Sequence, residues 1–272
     1  MTTDALKAYP IKGGKTGRAR LAVLAGVLAP TTEWHLDRAG PLSGRTAVDV
    51  GCGGGDVTFA LARRVGPDGR VMGIDLDAEK LAWARAGAQE QGIAHVTFEA
   101  IDVAKPWPIK DVDLVYARFI LTHLAEPQAL LAQAMAALKP GGMILVEDID
   151  IAGHFSHPDS PTIVAYAELY MALSRRRGGN PLIGRSLDLV LETAGFKDVQ
   201  TTVVQPFSRQ GGAKEVATLT FAAIADGLEA EGIASAEEIA RISRELEDFN
   251  RRPDTIVSLP RIFQAWGWKN PY

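Results

Sequence analysis

Four glycines stand within five residues directly after a short run of β-forming residues, in the stretch TAVDVGCGGGD at 46–56. Thr46 to Val50 predict a buried strand, and the residues after Asp56 have the apolar spacing of a helix. A plain strand-to-helix turn does not need four glycines, because each one costs conformational entropy on folding. A bare turn lets a ligand touch the backbone where the next helix presents free N–H groups. The stretch therefore predicts a ligand site.

The rest of the chain alternates predicted strands with predicted helices, which is typical of a parallel sheet covered on both faces. Helices are predicted after the glycine-rich turn, at 78–92 and at about 127–138. We therefore expect an α/β fold with a Rossmann-like, seven-stranded and mostly parallel sheet. Its predicted strands are 46–50, 69–77, 95–102, 112–118, 143–150, 199–206 and 262–269.

Two further segments are expected to cover the sheet, which itself would comprise 41–212 and 252–272. Residues 1–40 predict an N-terminal cap with one or two helices that break near Pro30. Residues 213–251 hold two helical stretches before the last strand, too many residues for a mere connector. We predict a helical lid at 213–251, with an added structural layer or a homodimer contact as its alternative role.

The spacing of the glycine-rich turn decides between two classes of ligand. A dinucleotide fingerprint reads G-x-G-x-x-G, but after Gly51 and Gly53 the place of the third glycine is taken by Asp56. A carboxylate there would repel a pyrophosphate, and Asp49 adds a second negative charge ahead of the turn. The pattern therefore favours a ligand with an ammonium or sulfonium group. It disfavours the alternative enzyme class, an NAD(P)-dependent oxidoreductase.

These residues resemble the class I S-adenosylmethionine-dependent methyltransferases, and more narrowly the small-molecule enzymes similar to those of ubiquinone and menaquinone biosynthesis. The resemblance covers residues 45–205 and implies S-adenosyl-L-methionine as the cofactor. Five motifs carry it in the order of the family: VDVGCGGG, GIDLD, AID, YARFILTHL and LKPGGMILVED.

The resemblance implies which residues hold the methionine part of the cofactor. Gly51 and Gly53 would leave room for it, and Asp49 would serve its positive end. The backbone around Arg118, after the fourth strand, would line the same part. Tyr9 and Arg18 in the N-terminal segment are further expected contacts, from their position alone.

The same resemblance assigns the adenosine part to the next two strand ends. Asp75 would hold the two ribose hydroxyls, and Leu76 beside it would pack on adenine. Asp102 would lie near the adenine amino group, with Val103 lending a backbone contact.

The methyl acceptor is expected over the ends of the fourth and fifth strands, where polar residues accumulate. We predict that His154 and His157, which follow the fifth strand, are catalytic or bind the acceptor, because histidine titrates near neutral pH. His123 is the third candidate, more typical of a core histidine. The spacing D-x-D-x-x-x-H-x-x-H that ends at His157 is not a recognised ligand signature, so we expect no metal.

The amino-acid composition limits the kinds of partner that we expect this protein to bind. The net charge of −4 disfavours nucleic-acid acceptors and leaves a small molecule as the expected one. Cys52 is the single cysteine, and no apolar run is long enough to span a bilayer, so we expect a cytoplasmic protein without membrane contact. We predict methyl transfer by in-line displacement to an O, N or C atom. A non-catalytic protein that binds S-adenosylmethionine is the remaining alternative.

Overall fold

The computed structural model describes residues 14–272, and its centre is a seven-stranded sheet. The strand order is β3-β2-β1-β4-β5-β10-β7, with β10 antiparallel to both of its neighbours and the remaining pairs parallel. This confirms the predicted Rossmann-like sheet. The strands are β1 Thr46–Val50, β2 Arg70–Asp75, β3 Val96–Ala100, β4 Val112–Arg118, β5 Leu138–Asp150, β7 Lys197–Val204 and β10 Arg261–Trp268.

Three very short strands form a second, antiparallel sheet in the order β6-β9-β8. They are β6 Ser156–His157, β8 Phe207–Ser208 and β9 Ile256–Ser258. The sequence analysis did not predict this sheet, because strands of two or three residues carry no readable alternation.

Eight α-helices are found in the described residues, three of them in the expected places between strands. The helices at 161–176 and 187–193 were not predicted. The helices are α1 Gly14–Leu36, α2 Asp56–Val65, α3 Ala78–Glu90, α4 Pro127–Ala137, α5 Pro161–Arg176, α6 Leu187–Thr193, α7 Ala213–Ala230 and α8 Ala236–Arg251.

The N-terminal helix corrects one prediction, because α1 does not break near Pro30 but runs on to Leu36. A proline inside a helix removes one backbone hydrogen bond. Here Leu28 and Leu36 on either side of it are fully buried, and tertiary packing of this kind offsets the lost bond. Tyr9 lies outside the described residues, as does the side chain of Arg18.

Strand register decides where the ligand-binding loops lie. Val50 pairs with Ile74 of β2 on one side and with Ala117 of β4 on the other. All three strands are parallel, so the loops that follow them leave the same edge of the sheet. In a doubly wound sheet, ligands bind at this carboxyl edge.

The helices of the predicted lid share a core with the rest of the molecule. Phe221, Ile224 and Leu228 of α7 are fully buried in one apolar cluster with Leu28 of α1 and Ile262 of β10. The cluster also takes in residues of α5 and α8. The helix α8 begins with a side-chain cap, since the Ser235 hydroxyl accepts a hydrogen bond from the Glu238 N–H at 3.1 Å.

We predict that α7 contributes to the stability of the whole fold. Leu228 is 0% exposed, whereas Leu189 on α6 is 61% exposed. Leu228→Ala should lower the free energy of unfolding by about 2–5 kcal/mol because it leaves a cavity. The same change at Leu189 should cost no more than about 0.5 kcal/mol. Urea unfolding of both variants checks this. A separate early transition of Leu228→Ala, with the main transition unmoved, would show instead that the helices fold as an independent lid.

Candidate functional site

A cavity opens at the carboxyl edge of the sheet, under α1, α5 and α7. The family resemblance implies eight residues that contact the cofactor, and all of them lie on the wall of this cavity. They are Asp49, Gly51, Gly53, Asp75, Leu76, Asp102, Val103 and Arg118.

The glycine-rich turn has the backbone that its composition predicts. Gly51, Gly53 and Gly55 have φ angles of 69°, 53° and 88°, in the left-handed region that favours glycine. A Cβ on Gly53 or Gly54 would meet nothing within 4 Å, so both face open space at the cavity. The turn therefore presents bare backbone to a ligand at the start of α2.

The two acids at the next strand ends are held in place by backbone N–H groups. Asp75 accepts one hydrogen bond from the Gly53 N–H and one from the Asp77 N–H, each at 2.9 Å. Asp102 accepts one from the Ala104 N–H at 3.1 Å. A carboxylate has about four lone-pair sites, so each keeps acceptor capacity for ligand hydroxyl or amino groups.

Asp49 is a buried carboxyl group under the turn. Its Oδ2 accepts a hydrogen bond of 2.6 Å from the Thr58 hydroxyl. Burial raises the pKa of Asp49 to about 7, and the negative charges of Asp56 and Asp75 add to the increase. A ligand cation beside this group would favour its ionised form.

The Arg118 side chain has a role that sequence reasoning did not assign, since the resemblance implied only backbone at this position. Its guanidinium donates to Asp56 Oδ2 at 2.5 Å and to the Thr32 hydroxyl at 3.1 Å. Burial alone would lower the pKa of Arg118, but the Asp56 carboxylate holds it above its usual value. Arg118 therefore joins β4, the start of α2 and the N-terminal helix.

The loop after β4 is fixed by a second buried acid. Asp148 Oδ2 accepts a hydrogen bond from the Thr122 N–H at 3.0 Å, and burial raises the pKa of Asp148 to about 7. Phe119 in this loop has a φ of 54°, a strained angle for a bulky residue. Phe119, Thr122 and His123 all line the cavity. Strain held in place at a cavity wall is typical of functional loops.

The far end of the cavity, away from the strand-end acids, is largely apolar. Leu21, Leu24 and Leu28 of α1 form one helical stripe on its wall. Tyr166 and Tyr170, one turn apart on α5, line it from the opposite side, together with Ile149, Ile151, Val216, Leu259 and Ile262. The i, i+3, i+7 spacing of the leucines and the i, i+4 spacing of the tyrosines could have been found in the sequence.

The structure does not bring His154 and His157 to the cavity wall, although both follow β5 as the sequence analysis required. His157 is exposed on β6. His154 Nδ1 lies 2.9 Å from the Ser258 carbonyl oxygen, and its ring packs edge-on against Tyr166 at 5.4 Å. Burial lowers the pKa of His154 to about 4. Their positions give the predicted catalytic role no support, because neither faces the space where an acceptor would bind. His123 is the histidine that the structure places there.

Among residues 14–272 there is no group of three or more His, Cys, Asp or Glu side chains arranged to hold a metal ion. In the same range no helix is long and apolar enough to cross a membrane.

Comparison with known proteins identifies the family. The sequence profile of a family described as "Methyltransferase domain" matches residues 42–182, just over half of the chain. The chain belongs to the methyltransferase-domain family. The matched range holds the glycine-rich turn and all eight predicted cofactor residues, so the family prediction is confirmed.

Two relatives of this methyltransferase-domain protein are themselves named as methyltransferases. The ubiquinone biosynthesis O-methyltransferase of Acinetobacter baumannii is 32% identical over 119 residues, which is 43% of this chain and 49% of that protein. The demethylmenaquinone methyltransferase of Anoxybacillus flavithermus is 30% identical over 146 residues, 52% of this chain and 58% of that protein. The chain spans about half the length of the curated relatives it matches.

Solved structures share the fold of this methyltransferase-domain protein. The phosphoethanolamine N-methyltransferase 2 of Haemonchus contortus, in complex with S-adenosyl-L-methionine, superposes with a TM-score of 0.59 and 17% identity. The likeness covers 94% of this chain and 57% of that one. A similarity at 17% sequence identity shows a shared fold only, so the ligand of this protein has to be inferred from its own site.

We predict that Asp49 makes stability fall as the pH rises. Its folded pKa of about 7 lies above the ordinary pKa of an aspartate, 3.8, which applies to the unfolded chain. A raised pKa gives a stabilising contribution that is complete below the unfolded pKa and lost as the pH rises through the folded one. Between pH 5 and pH 8, wild type should therefore lose about 2–3 kcal/mol more stability than Asp49→Asn. Urea unfolding of the ligand-free proteins at both pH values measures the difference. Parallel losses in the two proteins would contradict the raised pKa.

Proposed function

We propose that this protein transfers a methyl group from S-adenosyl-L-methionine to a small, largely apolar acceptor. One observation carries the proposal: the cavity that collects the eight predicted cofactor residues continues into an apolar end under α1, α5 and α7. A donor and an acceptor bound at its two ends would share one enclosed space. The acceptor's enclosure and the net charge of −4 support a small molecule over a nucleic acid.

The residues present fit the cofactor. Asp75 keeps lone pairs for two ribose hydroxyls, and on the same cavity wall Leu76 offers apolar contact and Val103 a backbone contact to an adenine ring. The bare turn at Gly53 and Gly54 leaves room for the methionine part, whose carboxylate can use the free N–H groups of α2.

The charges at the turn support a cationic ligand over a pyrophosphate. The Asp56 carboxylate is paired with Arg118, so the start of α2 lacks an unpaired cation for phosphate oxygens. Asp49 is buried near the start of α2 and has a raised pKa, so a sulfonium or ammonium group nearby would stabilise the ionised form of Asp49. An NAD(P)-dependent oxidoreductase is therefore not favoured by the site.

S-adenosyl-L-methionine, when bound, supplies a methyl group on a positively charged sulfur that is already a good leaving group. The contribution left to the protein is alignment and exclusion of water. The strand-end acids would fix the donor, and the loop at Phe119 with the apolar wall would hold the acceptor in line with it. The helices α1 and α7, which line the cavity, would help to keep water from the reacting atoms.

General-base catalysis is a small part of this proposal. His123 lines the cavity, and burial lowers its pKa to about 3, with the charge of Arg20 adding to the decrease. Its imidazole is therefore neutral but weakly basic. Such a group can orient an acceptor hydroxyl or amine, and it accepts a proton only from an acidic one. Catalysis rests on alignment, whichever of O, N or C is methylated.

Several expectations from the sequence stay predictions. These are the location in the cytoplasm, a homodimer and the division of the chain into cap, core and lid. The catalytic role of His154 and His157 also stays a prediction, and the proposed mechanism does not use it.

We predict that Asp75→Ala weakens binding of S-adenosylhomocysteine by about 10–150-fold, because it removes a charged acceptor for the ribose hydroxyls. Asp68→Ala, at an exposed turn, is the matched control and should leave the affinity unchanged. Titration calorimetry measures both, with circular dichroism to show that each variant is folded. The proposal would be contradicted if wild type bound NADH more tightly than S-adenosylhomocysteine. It would also be contradicted if folded Asp75→Ala bound S-adenosylhomocysteine as tightly as wild type does.

A further inference from the structure

The charged side chains on the cavity wall fall into local pairs. Arg118 pairs with Asp56 at 2.5 Å, and Lys80 pairs with Asp77 at 3.6 Å. Asp102 pairs with Lys105 at 3.3 Å. Of the remaining acids, Asp75 accepts two backbone hydrogen bonds and Asp49 has its pKa raised to about 7.

Arg20 is the exception among the described cations on this wall. Its Nε donates a hydrogen bond to the Thr220 hydroxyl at 2.9 Å. No carboxylate of the described residues lies within 4.0 Å of its guanidinium. The two terminal nitrogens, which present a planar fork suited to an oxyanion, are left without a partner in the described part of the chain.

Arg20 belongs to the apolar end of the cavity. It precedes Leu21 on α1, and its hydrogen-bond partner Thr220 lies on α7, so the guanidinium is at the junction of the two helices that roof the acceptor region. The positive charge of Arg20 acts on two side chains at this end of the cavity. It lowers the pKa of His123, as burial also does. It also lowers the pKa of Tyr166, against burial, which raises that pKa.

Arg20 is half-buried beside apolar side chains, and a cation in such a place gains when a ligand supplies the counter-charge. We propose that Arg20 binds an oxyanion of the methyl acceptor, which makes the acceptor an apolar molecule that carries a carboxylate or phosphate group. This inference rests on the proposed function, because it assumes that the apolar end receives the acceptor. Arg20 would bind the anion through its terminal nitrogens while Thr220 holds Nε and fixes the orientation of the fork.

A second source of an oxyanion is the carboxylate of the cofactor itself. The N-terminal end of α2, where Arg118 rather than Arg20 bonds Asp56, offers that carboxylate free N–H groups, which favours the acceptor as the partner of Arg20. The two sources give different results when the cofactor product is already in place.

The experiment measures binding of matched probes by titration calorimetry to protein saturated with S-adenosylhomocysteine. The probes are 4-phenylbutyrate and decanoate, each compared with its neutral amide, and 3-phenylpropyl phosphate compared with 3-phenylpropanol. At least one anion should bind wild type 10-fold or more tighter than its neutral counterpart. Arg20→Gln should reduce this preference to less than 3-fold, and Arg20→Lys should retain most of it.

Two further variants separate charge from structure. Arg38→Gln is the matched control, since Arg38 stacks on Trp34 at 3.6 Å and does not line the cavity. It should leave the preference for the anion unchanged. Thr220→Val removes the hydrogen bond to Nε but not the charge, so it should weaken the preference without abolishing it.

Three results would overturn the inference. The first is equal binding of anions and neutral probes to wild type, and the second is no binding of any anion at millimolar concentration. The third concerns Arg20→Gln, if this variant binds S-adenosylhomocysteine 10-fold or more weakly and keeps its preference for anions. That result would assign Arg20 to the cofactor carboxylate. Failure of the proposed function looks different, because wild type would then not bind S-adenosylhomocysteine. The anion preference measured without it still tests Arg20.

Discussion

The buried guanidinium of Arg118 is the interaction on which the architecture of the cavity depends. It joins the end of β4 to Asp56 at the start of α2 and to Thr32 on α1. Gln264 of β10 adds a second connection, because its amide donates to the Thr31 carbonyl oxygen at 3.0 Å and to Glu147 at 3.1 Å. The glycine-rich turn and the N-terminal helix are therefore anchored to the same strands. The Arg118 side chain is 13% exposed and the Asp56 side chain 39%, so this part-buried, hydrogen-bonded ion pair fixes geometry more than it adds stability.

The cavity separates polar and apolar chemistry along its length. Acids fixed by backbone N–H groups, such as Asp75 and Asp102, lie at the strand ends and can take hydroxyl, amino and cationic groups. Leucines of α1 and tyrosines of α5 form the other end, where Arg20 is the charged residue that lacks a carboxylate partner among the described residues. The fold places both ends of the cavity side by side, because the loops after parallel strands lie at one edge of the sheet and the helices cover that edge. A donor with a charged, polar body and an acceptor with an apolar one would meet at the junction.

Much of the cofactor end could be predicted from the sequence because its information is local. Each of its features is recognisable from one predicted strand and the residues next to it. These features are the turn at Gly51 and Gly53, the acid that ends β2 and the acid that follows β3. The apolar end, which we propose for the acceptor, depends on contacts between distant parts of the chain. Arg20 and Thr220 are separated by 200 positions, and no spacing rule joins them. His154 follows β5 closely, yet its ring turns to Tyr166, since position after a strand does not decide where a side chain points.

The most direct test of this account is a crystal structure of the protein with S-adenosylhomocysteine. We expect the ribose hydroxyls on the Asp75 carboxylate, adenine against Leu76 and Val103, and the sulfur atom facing the apolar end where Tyr166 and Leu24 lie. The central claim, that one cavity holds donor and acceptor end to end, would be contradicted by a nucleoside bound outside this cavity. A sulfur atom that faces solvent, away from α1 and α5, would contradict it equally.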